Sequence, residues 1–152
     1  MEIDISFEKQ FEGLPETQVV ELCERVLEKT ARAAGEDPDL LEVSVLFTGD
    51  EHIHELNRQY RGVDRATDVL SFALREAGPA EMVEGQELLG DIVVSVDTAS
   101  RQAREYGETL AAEVARLLCH GMLHLLGYDH CTEDEEAQMM ALQESILSDE
   151  PL

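Results

Sequence analysis

Positive charge and aromatic side chains are scarce in this sequence. Its 152 residues include 11 Lys and Arg against 34 Asp and Glu, so the formal net charge is −23 at pH 7, and there is no tryptophan. A surface this acidic repels phosphates, which argues against indiscriminate binding to nucleic acid. Aromatic residues make up 5% of the chain, which also argues against an extended platform for stacked bases.

The sequence also predicts no membrane span, no targeting signal and no disulfide framework. No stretch approaches the roughly 18 apolar residues of a membrane span, and the first residues, Met-Glu-Ile-Asp-Ile, form neither a basic nor an apolar segment. Three cysteines cannot all pair internally, and none lies in a Cys-x-x-Cys arrangement. We therefore expect a soluble, cytoplasmic protein in a reducing compartment. Its length predicts one domain, 1–152.

One segment of the chain carries a local excess of positive charge. Four arginines, at positions 58, 61, 65 and 75, occur there with two acids, at positions 64 and 68. From position 117 to the end there are eight acids and no Lys or Arg. The acidic body can therefore carry a local basic patch.

Hydrophobic periodicity predicts an α+β domain with a mixed sheet of about four strands packed with helices. Strands are predicted over 3–7, 43–47, 67–74 and 88–96, and the last is nearly continuous in apolar residues, which is typical of a central strand. Helices are predicted over 15–34, from a cap at Asp50, from a cap at Asp97 to about 106, from about 108, and after a capping box at 132–135. A polar stretch over 76–87 predicts a loop. The pattern leaves the order of the strands open.

The segment 119–131, Cys-His-Gly-Met-Leu-His-Leu-Leu-Gly-Tyr-Asp-His-Cys, holds three of the five histidines. On a helix, His120 and His124 lie one above the other, about 6 Å apart along the axis. Gly127 favours a left-handed helix stop, after which a short turn can return His130 toward them. Three imidazoles with an open fourth position are typical of a catalytic, zincin-like site holding one Zn²⁺ per chain. The same ligands suit nickel, copper or iron, and the plainer alternative is three unconnected histidines.

The remaining histidines and the cysteines have simpler interpretations. His52 and His54 are two residues apart and point in different directions on a helix, so we expect surface histidines. Cys23 lies on an apolar helical face and is interpreted as a buried small residue. Cys119 and Cys131 flank the histidines and are either packed side chains or spare ligands.

Hydrolysis is the natural reaction of such a site, because zinc makes its bound water acidic. In the zinc peptidase pattern His-Glu-x-x-His, the glutamate is the general base. Gly121 occupies that position here. A metzincin-like metallopeptidase, which shares the His-x3-His-x5-His spacing, would lack its base and is kept as an alternative.

The run His-Gly-x-Leu-His-Leu-x-Gly-Tyr-Asp-His, at 120–130, resembles the signature of the YbeY family of bacterial metal-dependent endoribonucleases. The resemblance extends back through 57–61, 67–72 and 89–92, and forward to Met140 and Glu144. It implies a zinc-dependent endoribonuclease specific for single strands, acting in 16S rRNA 3′-end maturation and ribosome quality control. It also implies zinc on the three histidines and a functional arginine at Arg61. The implied partners are the 16S rRNA precursor, the small ribosomal subunit and ribosome-assembly proteins.

The residues themselves fit this implication, with Arg61 and Asp129 as the candidate catalytic residues. The planar guanidinium of Arg61 suits a phosphate oxygen, for binding or for transition-state stabilisation; a solvated surface arginine is the alternative. Asp129 can orient a histidine, accept a proton or simply form the turn. Ser71 and Phe72 can line a groove, although Phe72 also suits the core.

A glutamate base is dispensable for RNA cleavage, because RNA carries its own 2′-hydroxyl nucleophile. A metal-activated water is the other candidate nucleophile, and the sequence does not choose between them. A third hypothesis is a non-catalytic ribosome-assembly factor in which zinc only joins the last helices to the body. In that case Arg61 would have no role in cleavage.

Overall fold

The computed structural model describes residues 1–80 and 82–152 as an open sheet with helices on both faces. The strands are β1 (Glu2–Phe7), β2 (Leu41–Thr48), β3 (Val69–Ala73), β4 (Met82–Val83) and β5 (Gln86–Ser95). The helices are α1 (Glu16–Ala33), α2 (Asp50–Arg61), α3 (Val96–Tyr106), α4 (Leu110–Leu125) and α5 (Glu133–Leu147). The α+β class predicted from the hydrophobic pattern is confirmed.

The apolar strand β5 lies inside the sheet, as predicted, in the order β1-β2-β5-β3. The pairs β1–β2 and β2–β5 are parallel, whereas β3 runs antiparallel to β5, with Val69 opposite Val94 and Ala73 opposite Gly90. The two-residue strand β4 pairs with the beginning of β5. The sheet is therefore mixed, and β3 is the strand at one edge.

The two faces of the sheet have different partners. On one face Val43, Val45 and Phe47 of β2 join the main core, which also includes buried residues of α1 and α4. On the other face a smaller cluster forms where Ile53 of α2 packs on Leu70 and Val93. Helix α4 therefore lies on one side of the edge strand β3 and α2 on the other.

Two aspartate side chains, those of Asp50 and Asp97, lie at the carboxyl-terminal end of the parallel strands, where α2 and α3 begin. The Oδ1 atom of Asp50 accepts hydrogen bonds from Ser95 Oγ and Thr98 Oγ1, both at 2.6 Å. The Oδ2 atom of Asp97 accepts a hydrogen bond from the backbone N–H of Asp50 at 2.8 Å. Lys9 forms an ion pair with Asp97 and lowers the pKa of that carboxyl.

Two of the predicted helix caps are wrong. The N-cap of α2 is Gly49, not Asp50, and the N-cap of α3 is Ser95, not Asp97. Both aspartates lie one or two residues further on, in the first turn, where a negative charge is favourable at the positive end of the helix. Their carboxylates contact groups on other elements instead of capping their own helix.

The predicted capping box and the predicted loop are close to what the structure contains. Thr132 is the N-cap of α5, and its side chain accepts a hydrogen bond from the N–H of Glu135 at 3.1 Å. The loop predicted over 76–87 includes β4 and the end of a 3₁₀ turn at Leu74–Ala77, while residue 81 lies outside the described residues.

Within the described residues, no helix is long and apolar enough to cross a membrane.

Candidate metal centre

Helix α4 carries the first two histidines of the motif. It begins at Leu110 because Thr109 caps it, with the side-chain oxygen accepting a hydrogen bond from the N–H of Ala112 at 3.0 Å. Most of its side chains are buried, whereas His120 and His124 are half-buried and line a cavity. The helical spacing therefore places both rings one above the other, as the sequence predicts, and they lie at the boundary between core and solvent.

A turn after α4 brings the third histidine to the same place. Gly127 has a φ of +98°, which favours glycine, and the N–H of Tyr128 donates to the carbonyl oxygen of Leu123 at 3.0 Å. The Oδ1 atom of Asp129 then accepts a hydrogen bond from the N–H of His130 at 2.7 Å. This turn reverses the chain and directs His130 back toward the end of α4.

The three imidazoles form one group. The Nε2 atoms of His120 and His124 are 3.1 Å apart, and the three ligand atoms all lie within 4.8 Å of one another. Two nitrogens bound tetrahedrally to zinc are about 3.3 Å apart, given bond lengths of about 2.0–2.1 Å. Nitrogen donors at this separation fit a zinc ion, so the residues can hold the metal that the motif implies.

Burial favours the neutral, metal-binding form of His120 and His124. It lowers the pKa of His120 to about 4, with a further contribution from the neighbouring His124. Burial also lowers the pKa of His124. Near neutral pH these two histidines therefore need not lose a proton before they coordinate a cation.

Each ring has a different partner outside the group. The side chain of Gln143 on α5 faces His120 and the backbone of Tyr128 faces His124, and each raises the pKa of that histidine against the effect of burial. The Nδ1 atom of His130 is 3.5 Å from Asp129 Oδ1. Partners of this kind fix the orientation of metal-binding histidines.

The histidines open into a cavity of about 740 Å³ that Arg61 also lines. The guanidinium of Arg61 donates a hydrogen bond to the backbone carbonyl oxygen of Ser71 and lies 5.5 Å from the ring centroid of Phe72. Ser71 lines the same cavity, whereas Phe72 belongs to the cluster under α2. The structure therefore brings Arg61 and Asp129 to one cavity with the three histidines.

Gly121, where the peptidase motif has its glutamate, is directed into the protein. A Cβ atom added there would be 2.9 Å from Cγ2 of Ile92 and 3.2 Å from Oγ of Ser71. The position is buried where α4 packs on the sheet. A glutamate at this position would meet the sheet and not the cavity.

The other histidines and two of the cysteines behave as the simpler interpretations predict. His52 contacts Glu8, with Nδ1 and Oε1 2.6 Å apart, and both side chains are exposed. Cys23 and Cys119 are buried, and burial raises their thiol pKa values to about 12 and about 11. Cys131 is exposed and its Sγ donates to Oδ2 of Asp129 at 3.1 Å, so it contacts the turn instead of the ligand group.

One carboxylate beside the histidines was not among the predicted site residues. Asp68 lines the cavity, and its Oδ2 atom accepts a hydrogen bond from Gln102 at 3.2 Å and lies 3.6 Å from Arg116. Arg116 also pairs with Glu113, whose side chain is only 2% exposed. The signal that the sequence offered was Arg116, the partner of Asp68. It lies four residues before His120 and therefore on the same side of α4.

The family model described as Endoribonuclease YbeY matches residues 4–150. The chain belongs to the YbeY endoribonuclease family. The resemblance noted from the motif at 120–130 is thereby confirmed.

Members of the YbeY family from several bacteria cover most of the chain. The chain is 53% identical to Endoribonuclease YbeY of Moorella thermoacetica over 135 residues, which span 86% of each sequence. It is 44% identical to that of Halalkalibacterium halodurans over 153 residues, covering 97% of this chain and 96% of the relative. The solution structure of TM1509 from Thermotoga maritima matches with a TM-score of 0.58 and 28% identity, over 96% of this chain and 89% of that one.

Proposed function

We propose that this chain is a zinc-dependent endoribonuclease that cleaves single-stranded RNA, with the 3′ end of the 16S rRNA precursor as its target. The observation that carries the proposal is that three grouped imidazoles and Arg61 line one cavity. The relatives described above are named endoribonucleases. We further propose that the protein acts in the cytoplasm on the small ribosomal subunit, together with ribosome-assembly proteins. It would also take part in ribosome quality control.

The metal would be held by His120, His124 and His130. When bound there, zinc supplies Lewis-acid activation of a water molecule or a phosphoryl oxygen. The rest of the work belongs to the chain's own side chains.

Arg61 would bind the phosphate that is cleaved. Its contacts with the Ser71 carbonyl oxygen and the Phe72 ring hold the guanidinium in place, and the remaining N–H groups are free to donate to phosphate oxygens. Because the group is fixed before substrate binds, little conformational entropy is lost on binding. Fixed positive charge also stabilises the charge that develops in the transition state.

Asp129 would act as a positioning residue for His130. One of its oxygens accepts the His130 N–H and the other accepts the Cys131 thiol. A carboxylate engaged in this way holds the turn that presents the third ligand. Of the three roles that the sequence left open for Asp129, we therefore propose the first, orientation of a histidine.

Two contacts argue against a metallopeptidase. Gly121 packs on the sheet, so the position of the peptidase base cannot supply one to the cavity. Arg61 donates a hydrogen bond to the backbone carbonyl oxygen of Ser71 on the edge strand β3. A peptide substrate that added to this edge as a further strand would need that oxygen for its own backbone hydrogen bond. Neither contact interferes with a phosphate in the cavity.

The test measures zinc content and cleavage of a single-stranded oligoribonucleotide on the same purified samples. We expect one zinc per chain and cleavage in the wild type, and loss of both in His124→Ala. His52→Ala is the matched control, because His52 contacts Glu8 and lies outside the ligand group. Cleavage by a His124→Ala sample free of zinc would exclude the proposed metal centre.

A cellular measurement separates the nuclease from a non-catalytic assembly factor. Cells that carry Arg61→Gln as their only copy should accumulate unprocessed 16S rRNA 3′ ends, although the variant remains folded and binds zinc. Normal 3′ ends in these cells would favour the assembly-factor alternative. Circular dichroism and zinc content of the purified variant provide the control for folding.

A further inference from the structure

Most of the positive charge in this protein is paired with carboxylates. Of its 11 Lys and Arg residues, eight have a carboxylate oxygen within 4.0 Å: Lys9, Arg25, Lys29, Arg32, Arg58, Arg75, Arg101 and Arg116. Within residues 1–80 and 82–152, the three that have none are Arg61, Arg65 and Arg104. Such pairing leaves little free positive charge on a chain with a net charge of −23.

Two of these three arginines line the histidine cavity. Arg61 and Arg65 both contribute to its wall, whereas Arg104 lines a different cavity together with Lys9 and Arg101. The free positive charge is therefore concentrated beside the candidate metal centre. Since phosphate binding depends on positive charge, this placement indicates where a nucleic-acid strand makes its contacts.

The backbone at Arg65 is held in place although its side chain is exposed. Helix α2 ends at Arg61 and is capped by Gly62, which has a φ of +70°, and the N–H of Val63 donates to the Asn57 carbonyl oxygen at 3.3 Å. The buried side chain of Asn57 then donates a hydrogen bond to the carbonyl oxygen of Arg65 at 2.9 Å. Asn57 thus fixes the position of Arg65 at the rim of the cavity, four residues after Arg61.

The acid next to Arg65 is engaged elsewhere. Asp64 contacts His54 of α2, with Oδ1 and Nε2 2.8 Å apart. Neither residue lines the cavity. The neighbouring Arg58 is paired with Glu55. As a result the charge of Arg65 is not cancelled by the residue beside it in sequence.

We propose that Arg65 binds a second phosphate of the RNA strand, next to the phosphate that Arg61 binds at the metal centre. This inference rests on the proposed function and adds a contact that determines how the strand lies in the cavity. The guanidinium of Arg61 is fixed by Ser71 and Phe72. Arg65 has no such side-chain contact among the described residues, so it can follow the position of a flexible single strand.

The test is the salt dependence of binding. A labelled, single-stranded 2′-O-methyl oligoribonucleotide is titrated with the zinc-loaded protein at 4 °C, and fluorescence anisotropy gives the binding constant between 50 and 200 mM salt. Each phosphate contact on a single strand contributes a slope of about −0.7 to log K against log salt concentration. Arg65→Ala should reduce the magnitude of the slope by about 0.7, which is roughly a fivefold weaker affinity at 0.1 M salt.

Arg104→Ala is the matched control, because it removes the same charge from an exposed arginine that also lacks a carboxylate partner within the described residues. Its slope should equal that of the wild type. Equal slopes for Arg65→Ala and Arg104→Ala, with clear binding by the wild type, would overturn the role of Arg65 and leave the proposed function standing. A wild type that neither binds the probe nor cleaves unmodified RNA would overturn both.

Discussion

The hydroxyl group of Ser71 donates a hydrogen bond to the carbonyl oxygen of Gly121 at 3.1 Å. This contact joins the edge strand β3 to α4, between the turns that carry His120 and His124. The backbone carbonyl oxygen of Ser71 also accepts a hydrogen bond from Arg61. One residue of β3 therefore connects the proposed phosphate-binding group to the helix that holds two of the metal ligands.

Gly121→Ala tests how closely α4 must approach the sheet. The added methyl group would be 2.9 Å from Ile92 and 3.2 Å from Ser71, so α4 or these side chains have to move. Overpacking of this kind costs about 1–3 kcal/mol in the free energy of unfolding, although alanine is intrinsically the better helix former. Urea denaturation measures the cost. The same substitution in an Ile92→Ala background should cost less, and equal costs in both backgrounds would contradict the contact.

Gly90→Ala should destabilise the protein more than Gly85→Ala. Both glycines have a positive φ, +136° and +82°, which is unfavourable for alanine. A Cβ at Gly90 would also collide with the backbone carbonyl oxygen of Phe72, whereas one at Gly85 has no neighbour within 4 Å among the described residues. We expect a loss of about 1–2 kcal/mol for Gly85→Ala and a larger loss for Gly90→Ala, measured by urea denaturation. Similar losses would mean that β3 is not held against Gly90.

Asp129→Asn and Asp129→Ala separate positioning from proton transfer. Asparagine keeps an oxygen that can accept the His130 N–H, whereas alanine does not. If Asp129 positions the turn, Asp129→Ala should weaken zinc affinity about 10- to 100-fold and Asp129→Asn should stay near the wild type in both affinity and cleavage. Chelator competition measures the affinity. Loss of cleavage in Asp129→Asn with zinc still bound would instead assign proton transfer to this carboxylate.

Arg75 should make the stability of the fold depend on pH. Its guanidinium donates two hydrogen bonds of 2.8 Å to Glu87, and this contact lowers the pKa of Glu87 below its ordinary value of 4.5. A carboxyl with a lower pKa in the folded state stabilises the fold above pH 4.5, and this contribution disappears as the pH falls through the folded-state pKa. Arg75→Gln should therefore lower the free energy of unfolding at pH 7 and differ less from the wild type at pH 3. An equal difference at both pH values, in urea denaturation, would contradict this coupling.

The metal ligands could be predicted from the sequence because local rules fix them. The spacing of His120 and His124 follows from the period of the helix, and Gly127 marks the turn that returns His130. The helices and the four longer strands follow from periodicity in the same way. The two-residue strand β4 is too short to produce a pattern, and the strand order depends on pairing between distant segments.

What the sequence could not predict depends on contacts between distant residues. Asp50 and Asp97 have the residue type of a helix cap, but Ser95 and Lys9, far away in the chain, engage their carboxylates. The absence of a carboxylate partner for Arg65 among the described residues likewise depends on a contact between other residues. The basic segment was visible from composition, whereas the engagement of Asp64 by His54 appears only once α2 and the following loop are in place.

The carboxylates of Asp50 and Asp97 have a consequence for inhibitor discovery. Open sheets with parallel strands commonly bind anionic ligands beyond the carboxyl ends of those strands, at helix N-termini. In this protein two internal aspartates already use the donors at that end. Phosphate mimics should therefore bind in the histidine cavity, next to the antiparallel strand β3. Fragment screening can begin there, with compounds that combine a zinc-binding group and a phosphate-like anion.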